Sequence, residues 1–118
     1  MDGRSRQAAG AQAEALALAH LEAQGLALVA RNYRCRAGEI DLIMREGDTL
    51  VFVEVRLRGK GAFASAAESV DTRKQQRVAT AARHFLAGRP ETPCRFDCVL
   101  LDRAEKSAIS WVKNAFDA

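Results

Sequence analysis

Apolar residues recur along this chain with two different periods, and the change from one to the other divides it into helices and strands. In segment 5–24, rich in Ala and Leu, a projection at 3.6 residues per turn puts Ala11, Glu14, Ala17, Leu18 and Leu21 on one stripe. Gly25 follows in the position that ends helices. Segment 26–34 reads as a first strand. Segments 39–45 and 50–57 are runs of Ile, Leu, Val and Phe, the composition of strands buried on at least one side. Segment 58–69 is small and polar around Phe63 and reads as a connecting loop placed where a substrate-facing loop is expected. Thr72 with Gln75 forms a capping box for a second helix, Asp71 being the other candidate cap. That helix runs through Val78, Ala81, Phe85 and Leu86 and is stopped by Gly88 and Pro90. Segments 95–101 and 108–116 close the chain as strands. The order α-β-β-β-α-β-β predicts an α/β fold with a mixed sheet flanked by helices.

The two middle strands carry the chemistry. They are joined by Glu46-Gly47-Asp48-Thr49, a hairpin signal. With Gly47-Asp48 as the loop, Glu46 pairs with Thr49, Asp41 lies opposite Glu54, and Glu39 lies opposite Arg56. Opposed residues share a face with Cβ atoms roughly 4.5–5.5 Å apart, and like charges there repel. Two opposed carboxylates therefore need something between them. A divalent cation is the simplest candidate, because hard cations take oxygen ligands. The blander reading is a polar, solvated sheet face. Glu14 is a third carboxylate, set on an apolar helix stripe, where such a group is usually paired or coordinated.

Composition narrows the classes. At 118 residues the chain is the size of one domain, spanning 1–118, with no internal repeat. No apolar stretch is long enough to span a bilayer, and the polar, Ala-rich start has no signal-peptide core, so a soluble cytoplasmic protein with no membrane partner is expected. Cys35, Cys94 and Cys98 form no CxxC pair and read as reduced thiols. On a strand Cys94 and Cys98 would stand about 13 Å apart, which excludes a shared zinc. The net charge of +3 is modest but uneven: residues 71–90 hold five basic side chains against one acid, and Arg31, Arg34 and Arg36 form another cluster, as do Arg56, Arg58 and Lys60. Such clusters suit phosphate backbones, or are simply solvated surface.

Taken together, Glu14-x-x-Ala17-x-x-His20-Leu21-x-x-x-Gly25, Arg31-Asn32-Tyr33-Arg34, Gly38-Glu39-Ile40-Asp41-Leu42-Ile43 and Val51-Phe52-Val53-Glu54-Val55 resemble the YraN family of small bacterial proteins. The likeness extends through Lys74 and the following helix to Arg95-Phe96-Asp97. That family is similar to Holliday-junction resolvases of the restriction-endonuclease-like fold, with their PD-(D/E)xK metal site. The resemblance implies that fold here, and implies that Asp41, Glu54 and Glu14 hold Mg²⁺ or Mn²⁺, with the backbone carbonyl of Val55 as a further ligand. One departure stands out: Arg56 occupies the place of the E-x-K lysine. Arg stays protonated and cannot act as a base, though it can steady charge on a phosphate or pair with Glu39. Lys60 and Lys74 are alternative sources of an ammonium.

Three functions follow as expectations. The first is a Mg²⁺-dependent endonuclease on structured or branched DNA, with Glu14, Asp41, Glu54 and Arg56 catalytic and Arg31, Arg34, Arg58, Lys60 and Lys74 on flanking phosphates. A symmetric junction substrate would suit a homodimer. The second is a nuclease-fold protein that binds nucleic acid without cutting, and the third a protein–protein adaptor. Outside the carboxylates, Glu39 reads as structural, Asp97 as a surface or hydrogen-bonding residue, His20 and His84 as packing or surface residues, and Trp111 and Phe116 as core.

Overall fold

The computed structural model describes residues 3–57, 71–101 and 109–117, with side chains from Gly10 onward. Arg58, Lys60 and the loop expected over 58–69 lie outside the described residues. The elements are α1 (Gly3–Ala23), β1 (Ala27–Cys35), β2 (Gly38–Glu46), β3 (Thr49–Leu57), α2 (Thr72–Leu86), β4 (Cys94–Leu101) and β5 (Ile109–Phe116). The predicted order is the observed one. The strands form one five-stranded sheet, order β1-β2-β3-β4-β5, in which only β3 and β4 run parallel. A parallel pair needs a long crossover, and α2 lies in the connection that provides it. The architecture is that of a restriction-endonuclease-like fold.

Alternation along β3 divides the core in two. Leu50 and Phe52 pack with Val78, Ala81, Ala82 and Phe85 of α2, while Val51 and Val53 pack with Ala13, Ala17 and Leu21 of α1. The sheet is thus sandwiched at its centre by one helix on each face, as a strand apolar on both sides requires. The β2–β3 turn has positive φ at Gly47 (59°) and not at Asp48, the pattern of a type II′ hairpin turn. Glu46 pairs with Thr49, as the two-residue loop predicts.

Two contacts place α2 over the sheet. Asp71 caps it, its Oδ1 accepting from the Lys74 amide at 2.9 Å; the cap is Asp71 and not Thr72. Gly38 lies so close to α2 that a Cβ there would fall 2.0 Å from the Arg77 carbonyl oxygen. Only glycine lets β2 begin this near the helix backbone.

At the other end of the sheet Asp97 is fully buried, which corrects its reading as a surface residue while keeping that of a hydrogen-bonding one. Its carboxylate accepts from Arg95 Nε (3.1 Å to each oxygen), Trp111 Nε1 (3.0 Å) and the Asn114 amide (3.0 Å). Arg95 continues the network to Glu46 Oε1 at 2.6 Å. These bonds fall where the β4–β5 register shifts between Phe96 and Cys98, so side-chain bonds stand in for lost ladder bonds. Asp97→Asn keeps the shape but removes the charge opposite Arg95. It is expected to lower the unfolding free energy by about 2 kcal/mol. Urea unfolding measures this, and a change within about 0.5 kcal/mol, the range of ordinary surface substitutions, would contradict it.

Candidate functional site

Backbone pairing of β2 with β3 runs from Glu46–Thr49 to Leu42–Val53 and then stops. Asp41 and Glu54 would form the next pair. Instead their side chains take over: the Val55 amide donates to Asp41 Oδ2 at 2.8 Å, and the Asp41 amide faces Glu54 Oε1 at 3.4 Å. Beyond this point β2 stays with β1, and β3 stays with β4 out to Leu57–Leu101. Ile40 and Ile43 both pack on the α2 side although they are three residues apart. Alternation along β2 therefore breaks at Asp41, where the strand leaves its neighbour.

The two helices complete the site from opposite faces. Glu14 comes from α1, half-buried on the stripe that carries Ala13 and Ala17, near enough to Asp41 for their charges to interact. Lys74 comes from the first turn of α2, and its Nζ stands 3.3 Å from Glu54 Oε2. Glu54 is fully buried, which rules out a solvated sheet face at this position. The Lys74 ammonium is an ionic neighbour but does not lie along a hydrogen-bonding direction, so Oε2 is buried with no hydrogen bond. A buried acceptor in that state is costly and is poised for a ligand.

Burial dominates the electrostatics. It pushes the Glu54 carboxyl up to about 8, with the Asp41 charge adding to the rise and Lys74 opposing it. Burial likewise raises Asp41, against the Val55 hydrogen bond and Lys74. Glu14 is raised by burial and by Asp41, while a side-chain hydrogen bond from Asn32 and the charge of Arg31 pull it back. Since folding raises the Glu54 pKa from 4.5 to about 8, the native state holds a proton that the unfolded chain has released. Stability of the metal-free protein is thus expected to fall as pH rises between these values, by at most about 1.4 kcal/mol per pH unit. Glu54→Gln should flatten the profile. Urea unfolding from pH 5.5 to 8.5 on both proteins tests this, and parallel profiles would defeat it.

Other expected residues fall variously. Arg56 is exposed near the end of β3 and makes no hydrogen bond or ion pair among the described residues. Its expected pairing with Glu39 is not formed. Glu39 instead faces Arg34 across β1–β2, with Arg34 Nε 3.3 Å from Glu39 Oε2, because β2 has left β3 before reaching that position. Arg31 lies beside Glu14. His84 Nδ1 meets the Tyr33 hydroxyl at 2.5 Å, and His20 stands edge-on to Trp111 with ring centroids 6.4 Å apart. Trp111 is half-buried and Phe116 buried.

Asn32 was missed as a member of the site. It holds a left-handed φ of 50° within β1, a conformation costing an L-residue on the order of 1 kcal/mol and least unfavourable for Asn. Its place in Arg31-Asn32-Tyr33-Arg34, between strand-forming residues, was the only signal.

Comparison with known proteins agrees with this arrangement. Residues 13–101 match the sequence pattern described as uncharacterised protein family UPF0102. A UPF0102 protein of Cupriavidus taiwanensis is 58% identical over 116 residues, covering 97% of this chain and 86% of its own. One from Nitrosomonas europaea is 53% identical over 109 residues, 92% of each chain. One from Pseudomonas aeruginosa is 48% identical over 123 residues, 99% of this chain and 98% of its own. The matched residues include Glu14, Asp41, Glu54 and Lys74, and the chain belongs to the UPF0102 family.

Proposed function

We propose that this protein is a divalent-cation-dependent nuclease of the Holliday-junction-resolvase-like type, acting on structured DNA. The observation that carries the reading is the meeting of Asp41 and Glu54 where β2 and β3 part, with Glu54 fully buried and Lys74 beside it. Among the described residues no three His, Cys, Asp or Glu side chains form a ready-made cation cage. That fits Mg²⁺ better than a cation needing many protein ligands, since Mg²⁺ keeps several waters and binds through one or two carboxylates plus substrate phosphates. The unbonded Oε2 of Glu54 and the carboxylate of Asp41 suit it, or Mn²⁺. Glu14 and the Val55 carbonyl are the further donors. When bound, the cation would activate water and stabilise the departing oxygen.

The chain's own residues do the rest. Asp41 and Glu54 orient the reacting groups, and Lys74 places a positive charge against Glu54 where negative charge would develop. Arg31 and Arg34 lie near Glu14 and Glu39, and the exposed Arg34–Glu39 pair is weak enough for a phosphate to replace it. Among the described residues no helix is long and apolar enough to cross a membrane.

The exposed Arg56, in place of the expected lysine, favours a second reading: a protein that binds nucleic acid without cutting. The test is incubation of labelled four-way-junction, flap and single-stranded DNA with Mg²⁺, with Mn²⁺ and with chelator. Metal-dependent products support the nuclease. Salt-sensitive binding without product from a folded protein supports the second reading.

A further inference from the structure

Asn32 is the one described residue in this region whose backbone departs from its element without a local turn to explain it. Only Asn32 and Asn114 among the described non-glycine residues have positive φ. Asn114 has a visible reason: its amide is held by the buried Asp97. Asn32 has a different one. The pairs Arg31–Leu42 and Tyr33–Ile40 bracket it directly opposite Asp41. Arg31 and Asn32 are both exposed, while Val29, Ala30, Tyr33 and Cys35 pack on the α2 side, so the left-handed turn of the backbone interrupts the alternation of β1 at this point. The Asn32 side chain hydrogen-bonds Glu14, which belongs to α1 on the other face of the sheet.

We propose that Asn32 is a positioning residue: its left-handed backbone carries the side-chain amide out of the strand's alternation to hold the Glu14 carboxylate toward Asp41. The proposal rests on the reading that Asp41, Glu54 and Glu14 together take a divalent cation. It assigns to β1, the edge strand, a part in forming that site. Strained non-glycine backbone persists only where the surroundings over-determine it, and here what it secures is a single hydrogen bond to the third carboxylate. Groups that orient metal ligands commonly shift affinity by ten- to a hundredfold when removed.

Asn32→Gly separates positioning from folding, because glycine adopts positive φ freely but has no amide to donate. Mn²⁺ binding, read by the loss of the free-ion magnetic resonance signal, and thermal unfolding without metal are measured on the parent, Asn32→Gly, Glu14→Gln and the double variant. Asn32→Gly is expected to unfold no earlier than the parent and to bind Mn²⁺ about tenfold more weakly. The double variant should bind no more weakly than Glu14→Gln alone, since both changes act through one carboxylate. Parent-like Mn²⁺ affinity in Asn32→Gly, or additive losses in the double variant, would overturn the positioning role alone. A parent that binds no Mn²⁺ overturns the cation reading and this proposal with it.

Discussion

Asp41→Asn is expected to lower metal-dependent DNA cleavage by about three orders of magnitude, equivalent to roughly 4 kcal/mol of transition-state stabilisation, while leaving the metal-free protein at least as stable. The two halves of this result come from the same geometry. Asp41 Oδ2 accepts the Val55 amide at 2.8 Å, and an asparagine oxygen can continue to do so. The change therefore spares the bond that replaces the ladder where β2 parts from β3. What it removes is a buried negative charge beside Glu54 and Glu14, both of which are held above their ordinary range partly by Asp41. Relief of that repulsion favours the folded state above neutral pH, whereas loss of a hard anionic donor disfavours the cation. Cleavage and melting curves recorded on one preparation distinguish the two effects. Turnover equal to the parent's would remove Asp41 from the chemistry, and a markedly lower melting point would show that its charge is structural.

Much of this site could be read from the chain because strand periodicity and turn chemistry act locally. Gly47 sets the turn, the turn sets Glu46 against Thr49, and a period of two then brings Asp41 level with Glu54. Glu14 was visible as a carboxylate on a stripe shared with Ala17 and Leu21, which are both buried. Extrapolation failed one step further, at Glu39, because counting outward assumes that the ladder continues. It ends at Leu42–Val53, for a reason written in side chains: the Asp41 carboxylate occupies the Val55 amide that further pairing would use. Asp97 was obscured for a similar reason. Its burial depends on Arg95, Trp111 and Asn114, and Glu46 joins through Arg95 from a strand far away in sequence. Asn32 illustrates the remaining limit, since propensity allows Asn a left-handed φ but does not say where it is used. The reach of Lys74 was likewise beyond local rules: it depends on how near α2 lies to β2, which Gly38 decides through its contact with Arg77.

That reach leads to a contrast between two cations. Lys74→Met is expected to reduce cleavage by two to three orders of magnitude, the usual cost of losing one preorganised charge-stabilising donor, whereas Arg56→Ala should cost less than about tenfold. Lys74 is held at both ends: its amide is fixed by the Asp71 cap at 2.9 Å, and its Nζ lies 3.3 Å from a fully buried carboxylate. Arg56 is exposed and has no charged partner among the described residues, so nothing preorganises its guanidinium toward the carboxylates. Methionine keeps the length and apolar stem of lysine and removes only the ammonium, which limits any repacking. Metal binding separates the consequences. With Lys74 gone, Glu54 loses a competing cation, so affinity for Mn²⁺ should hold or tighten even as turnover falls. A variant that loses metal and turnover together would show that Lys74 merely organises the ligands. The reverse ranking, with Arg56→Ala inactive and Lys74→Met active, would return the role to the strand and leave Lys74 as the counter-charge of a buried acid.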